Sequence, residues 1–106
     1  MIQRRCLGMA LMLVLAAGVV PAEAETIQIT IEKLVYSPAE VSAKVGDTIE
    51  WINKDNLAHT ATVKDGWEVM IPAKKTGSFI VEAPGDFAYY CRFHPNMKAR
   101  LTVDPS

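Results

Sequence analysis

Cysteine and histidine are scarce in this sequence, with two of each, and each scarcity excludes a chemistry. The cysteines, Cys6 and Cys91, lie far apart, and no Cys-x-x-Cys-His run exists, so c-type haem attachment is excluded. Structural zinc wants four strong ligands in paired spacing, and no second pair is present. Charge of one sign is missing too. With 11 Lys and Arg against 12 Asp and Glu, the net charge is −1, which speaks against nucleic acid or an anionic membrane surface as a partner. Past the first segment there is no long apolar stripe of helical period, no internal repeat, no linker and no low-complexity tract.

The first segment is the long apolar run the rest lacks. "MIQRRCLGMALMLVLAAGVVPAEA" begins with Arg4 and Arg5, continues apolar from Leu7 to Val20, and ends in Ala22-Glu23-Ala24, a small-x-small cleavage pattern. The run falls short of the about 20 apolar residues that a bilayer span needs. Residues 1–24 are therefore expected to be a secretory signal peptide, leaving residues 25–106 as one exported domain. Cys6 leaves with the signal, so Cys91 has no partner for an internal disulfide. A domain this small has a marginal core and usually carries a staple; with disulfide excluded, a metal is the next candidate.

What is present is alternation with period two. Ile27, Ile29 and Ile31 alternate in "TIQITIEKL". Val41, Ala43 and Val45 do so before a Gly46-Asp47 turn, and Ile49 and Trp51 follow it. "GSFIVEA", "DFAYYC" and "ARLTV" bring the well-marked runs to six, and with the shorter "TATVK" and "WEVMI" between them six or seven strands are expected, punctuated by Gly and Pro, with a turn at Pro84-Gly85. The pattern predicts an all-β antiparallel sandwich or small barrel.

One short stretch concentrates metal-binding side chains. "CRFHPNM" holds Cys91, His94 and Met97 at every third position, and the other histidine, His59, lies upstream between two predicted strands. A soft thiolate, borderline imidazoles and a soft thioether suit copper, and two His, one Cys and a long axial Met form the blue-copper arrangement. Cys91 would end one strand, the loop 92–96 would arch over the metal, and Pro95 would stiffen it. Taken singly, each residue has a plainer role: Cys91 a buried small hydrophobe, His94 a loop residue, Met97 core filler, His59 a surface residue. Their joint placement favours a metal site. Met70 competes with Met97 as the axial ligand but falls in a strand-like run and is expected in the core. A Cys91–His94 nucleophile pair would need an orienting third group and a substrate pocket, for which so small a domain has little room, so no enzyme is expected.

These residues resemble the cupredoxins, the small blue copper proteins, with the short ligand spacing of amicyanins and pseudoazurins. "VGDTIEWINKDNLAH" is similar to the amicyanin segment that carries the first His ligand, and "APGDFAYYCRFHPNM" to the one that carries the other three. The resemblance implies a Greek-key β-sandwich, one copper ion cycling between Cu(I) and Cu(II), and the ligand set His59, Cys91, His94 and Met97. It implies an exported, periplasmic one-electron carrier, monomeric, passing electrons from a donor dehydrogenase to an acceptor such as a cytochrome c. It also suggests an electron port at a partly exposed His94, ringed by Leu57, Ala58, Phe93, Pro95 and Asn96. Lys54, Lys64, Lys74, Lys75, Lys98 and Arg100 are available to steer an acidic partner. Three features depart from the amicyanin pattern. Thr60 stands where Asn or Ser is common, Phe93 stands where Pro often precedes the second His, and the stretch between His59 and Thr76 is shorter. The alternatives are a periplasmic copper carrier or resistance protein and a metal-free binding module with a buried Cys91.

Overall fold

The computed structural model describes residues 23–106. The expected signal peptide therefore lies, but for Glu23 and Ala24, outside the described residues. Among these there are nine strands and no helix: β1 (Thr26–Glu32), β2 (Val35–Ser37), β3 (Glu40–Lys44), β4 (Thr48–Asn53), β5 (His59–Thr62), β6 (Glu68–Ile71), β7 (Thr76–Ile80), β8 (Gly85–Cys91) and β9 (His94–Asp104).

The strands form two sheets, ordered β2-β1-β4-β7 and β3-β9-β8-β5-β6. This is the all-β sandwich that the alternation predicts, with more strands than the expected six or seven. Most pairings are antiparallel, but β1 runs parallel to β4 and β3 parallel to β9. The reason is the path of the chain. After β2 it crosses to the second sheet as β3 and returns as β4 beside β1, and parallel neighbours need a crossover connection of this kind. Alternation then sorts the side chains. Ile29 and Ile31 on β1 and Ile49 and Trp51 on β4 are wholly buried between the sheets. On the outer face Gln28 Nε2 donates to Glu50 Oε1 at 2.8 Å.

The core is aromatic at its centre. Trp51 and Tyr89 meet edge to face at 5.7 Å, Tyr36 meets Tyr89 at 4.9 Å, and Trp67 stacks on Phe79 at 4.5 Å. Trp51 Nε1 donates to the Tyr89 hydroxyl at 3.2 Å, and the Tyr36 hydroxyl donates to the Thr60 carbonyl. Burial pushes the Tyr89 phenol up to about 12, with the Trp51 hydrogen bond working the other way, so Tyr89 stays neutral among apolar neighbours. Met70 does not join this core. It stands on β6 with 47% of its surface exposed, on the opposite face of the strand from the buried Ile71.

Positive φ occurs in several turns, among them those at Gly46 and at Lys33-Leu34. Gly46 closes the β3–β4 turn at φ 102°, where a side chain is disfavoured. The Asp47 carboxylate steadies this turn by accepting from Lys44 N and Glu25 N, both at 2.9 Å. β1 and β2 are joined by only two residues, Lys33 and Leu34, because Glu32 faces Val35 in the ladder. Both have positive φ, 56° and 65°. A two-residue hairpin demands that conformation, and residues other than Gly, Asn or Asp adopt it at a cost of about 1–2 kcal/mol each. Lys33 is exposed, so Lys33→Gly removes the strain at the smaller entropic cost of about 0.5–1 kcal/mol. We expect its Tm to exceed wild type by about 2–6 °C, measured by thermal unfolding of residues 25–106. An unchanged or lower Tm would refute that account of the turn.

Candidate metal centre

His59 opens β5 and Cys91 closes β8, and the two strands are antiparallel neighbours with Thr62 facing Tyr90. That register brings residues 32 positions apart to one pole of the sandwich. Just beyond Cys91 the chain turns in two residues, Arg92 and Phe93, so that His94 faces Cys91 across the ladder. The arch expected over 92–96 takes a different form. It is a tight turn followed by a register shift, after which Lys98 faces Tyr90. Residues 95–97 thus bulge from β9, and such a bulge bends its strand and re-aims its side chains.

The donor atoms converge. Cys91 Sγ lies 3.7 Å from His59 Nδ1 and 3.8 Å from His94 Nδ1, and the three donors all lie within 4.8 Å of one another. His59 and Cys91 are completely buried, whereas His94 is half-buried. Met97 is 4% exposed and follows His94 on β9. These separations suit a shared ion. Bond lengths of about 2.3 Å to sulfur and about 2.0 Å to nitrogen, at a trigonal angle, place S and N about 3.7 Å apart. Among the described residues Cys91 has no disulfide partner, and its Sγ is placed to serve as a thiolate donor.

Hydrogen bonds hold the donors from behind. His59 Nε2 donates to Asp55 Oδ2 at 2.9 Å, which leaves Nδ1 as the lone pair facing the thiol. Asp55 also accepts from Lys33 N on Oδ1 at 2.7 Å and from Leu34 N on Oδ2 at 3.0 Å. Burial works to raise the Asp55 carboxyl, and the hydrogen bonds from Leu34, Lys33 and His59 outweigh it and hold it below its usual range. Asn53, at the end of β4, fastens the connecting segment: its Nδ2 donates to the carbonyls of Leu57 and Pro72 at 2.8 and 3.1 Å, and its Oδ1 accepts from Asp55 N at 2.9 Å. Thr60 ties the two ligand segments together. Its Oγ1 accepts from Arg92 N at 2.8 Å and lies 2.8 Å from Thr62 Oγ1, which in turn donates to Glu68. The Arg92 guanidinium forks onto both Glu68 oxygens and covers the Phe93 ring at 4.8 Å. Among the described residues no buried side-chain nitrogen or oxygen lacks a partner.

Around His94 the surface is apolar. Leu34, Phe93, Pro95, Asn96 and Met97 line a hollow beside it, and Leu57 and Phe93 are about half exposed at 50% and 45%. Of the basic residues available for steering, Arg100 is paired with Asp86 at 2.9 Å, and Lys74 Nζ donates to the Lys54 carbonyl at 2.7 Å. Sequence reasoning overlooked Asp55, Leu34 and the Arg92–Glu68 fork. Asp55 announces itself only by standing four residues before His59, a spacing shared by many unremarkable acids.

The family model for the cupredoxin-like domain matches residues 5–103, and the chain belongs to that family. It is 32% identical to amicyanin-alpha of Methylorubrum extorquens, with 85% of each chain covered. It is 26% identical to the methylamine utilization protein MauL of the same organism, over 93% of this chain and 91% of the relative. Among solved structures, amicyanin from Paracoccus versutus superposes with a TM-score of 0.68 at 28% identity, covering 83% of this chain and 88% of that one. A reduced, Cu(I)-containing amicyanin mutant also gives 0.68, at 28% identity, covering 83% and 89%. The cofactor of this chain is accordingly copper, and the buried thiol between two imidazole Nδ1 atoms fits it.

Thr60 offers a direct test of the scaffold. Thr60→Val keeps the shape but strips the acceptor from Arg92 N–H. The expected loss is about 1–3 kcal/mol of folding stability, read by denaturant unfolding of the copper-free protein. Thr60→Ser keeps the oxygen and should lose less; a Val variant as stable as wild type would remove Thr60 from this role.

Proposed function

We propose that the protein is an exported one-electron carrier that holds a single type 1 copper ion through His59, Cys91, His94 and Met97. Copper supplies a one-electron couple that both soft sulfur and imidazole donors tolerate. The observation that carries the reading is the convergence of Cys91 Sγ with two imidazole Nδ1 atoms at 3.7 and 3.8 Å, two of the three groups being wholly buried. The chain's own contribution is to hold these donors at fixed separations and keep water away from Cys91. The Asp55 bond to His59, the Thr60 bond to Arg92 N and the short turn at Arg92-Phe93 supply that rigidity.

His94 is the half-buried member of the group and borders the apolar hollow. On this reading it is the electron port, and the face formed by Leu34, Leu57, Phe93 and Pro95 receives the partners. A donor dehydrogenase and a cytochrome-type acceptor fit an exported carrier related to amicyanin and to a methylamine utilization protein. Residues 1–24 act as a signal peptide and the mature protein, a monomer, works in the periplasm. Small apolar faces suit such brief redox encounters. The five methionines of the sequence include three in the expected signal peptide, which makes the Met-rich form of a copper carrier or resistance protein the poorer fit. No substrate is transformed, so the protein is not an enzyme in its own right.

Two experiments test the reading. Residues 25–106 loaded with copper(II) should show an intense visible charge-transfer band that Cys91→Ser abolishes; a pale spectrum in both would overturn it. Copper at a thousand times its Kd should add about 4 kcal/mol of stability, which raises Tm by on the order of 15–30 °C. Equal Tm with and without copper would count against a specific site. For the port, Phe93→Glu places like charges face to face when two copies meet. Electron self-exchange at low salt should fall at least about tenfold, and an unaltered rate would move the port elsewhere.

A further inference from the structure

We infer that Asp55 is the positioning residue for His59. Its carboxylate fixes the ring with the proton on Nε2 and the lone pair on Nδ1, and its charge favours the higher oxidation state of the bound copper. The inference rests on the copper reading above and deepens it. It stands on three contacts that meet at one carboxylate.

The first contact is to the ligand itself. His59 Nε2 lies 2.9 Å from Asp55 Oδ2, and a carboxylate that accepts from the far nitrogen fixes the tautomer and strengthens the near nitrogen as a donor. The histidine ring is wholly buried and the Asp55 side chain is 15% exposed, so water screens the pair poorly. The other two contacts come from the β1–β2 turn. Lys33 N and Leu34 N reach the two oxygens at 2.7 and 3.0 Å. Successive backbone N–H groups turned the same way form a concave anion seat, and positive φ at both residues is what aligns them here. Asp55 is held on its own backbone as well, where Lys74 N donates to its carbonyl at 3.1 Å. The carboxylate thus has one orientation that satisfies every donor around it, and that orientation points Oδ2 at His59. A strained hairpin on the first sheet thereby braces a ligand on the second.

Electrostatics give the direction of the effect. A negative charge behind a ligand stabilises the oxidised, more positive ion more than the reduced one. Asp55→Asn keeps an acceptor for His59 Nε2 but removes the charge, and its amide faces one of the turn's N–H donors. Loss of such an outer partner weakens metal binding about 10- to 100-fold. We expect copper(II) affinity to fall about tenfold relative to copper(I), which for a one-electron couple is a rise in reduction potential of about 59 mV.

The measurement is the reduction potential of copper-loaded residues 25–106 as wild type, Asp55→Asn and Asp55→Glu, each checked for the visible charge-transfer band. A raised potential in Asn that returns toward wild type in Glu, with the band present in all three, supports the inference. A band with an unchanged potential in Asn, even with a lower Tm, would reduce Asp55 to a structural brace and overturn it. If Asp55→Asn fails to fold, nitrogen NMR of the wild-type Cu(I) form decides. A proton on His59 Nε2 in slow exchange with water is expected, and its absence refutes the assignment. No visible band in wild type would instead overturn the copper reading beneath it.

Discussion

The site exists because β5 lies antiparallel against β8, with His59 at the start of one strand and Cys91 at the end of the other. The chain must keep this pole closed although the backbone ladder between the two strands is short. The Arg92 N–H to Thr60 Oγ1 hydrogen bond does this. It falls where the next ladder contact would be sought, and it sits one residue from each of the two buried donors. Thr60 is itself anchored through the Thr62 hydroxyl and by its carbonyl, which accepts from Tyr36 in the opposite sheet. The donor separations are therefore set by both layers of the sandwich acting together.

Burial raises the demands on this arrangement. His59 and Cys91 are out of reach of water, so each polar atom not given to the metal needs a protein partner. Asp55 meets that demand for His59, and the turn at Lys33-Leu34 meets it for Asp55. The cost appears where the sequence looks unremarkable, in two ordinary residues held at positive φ. Strain of this kind persists when surrounding contacts over-determine it, and here the anion seat supplies those contacts.

The strands were legible because sandwich interiors impose a period of two. Ile29, Ile31, Ile49 and Trp51 fall on one face and are all buried. The donor cluster was legible because, with the expected signal peptide set aside, one thiol and two histidines leave few combinations. What could not be read depends on residues whose roles are fixed by distant partners. β2 escaped because three residues, Val35–Ser37, are too few to show a period. The hairpin turn escaped because Lys-Leu lacks the Asn-Gly or Gly-Gly chemistry that usually marks it. Met70 was misjudged because a strand has two faces, and the register that puts Ile71 inside puts Met70 outside. The shape of the ligand loop, a bulge in β9, is a property of pairing with β8 that no single strand records. Asp55 is invisible for the same reason: its meaning comes from a turn more than 20 residues earlier.

On the proposed reading, the two histidines divide the work of an electron carrier between them. His59 has no exposed surface and its outer nitrogen is spoken for by a carboxylate, so it can tune and brace the site but cannot meet a partner. His94 reaches the surface beside Phe93 and Pro95, where among the described residues no charged side chain lines the hollow. A carrier needs both properties, since a rigid interior keeps rearrangement small on each transfer while an open edge lets the electron leave. In this fold they are separated by strand of origin. The buried ligand comes from β5, paired on both sides by β6 and β8. The exposed ligand comes from the β8–β9 turn, at the rim, where a two-residue connection and a bulge leave one imidazole facing both the thiolate and the solvent.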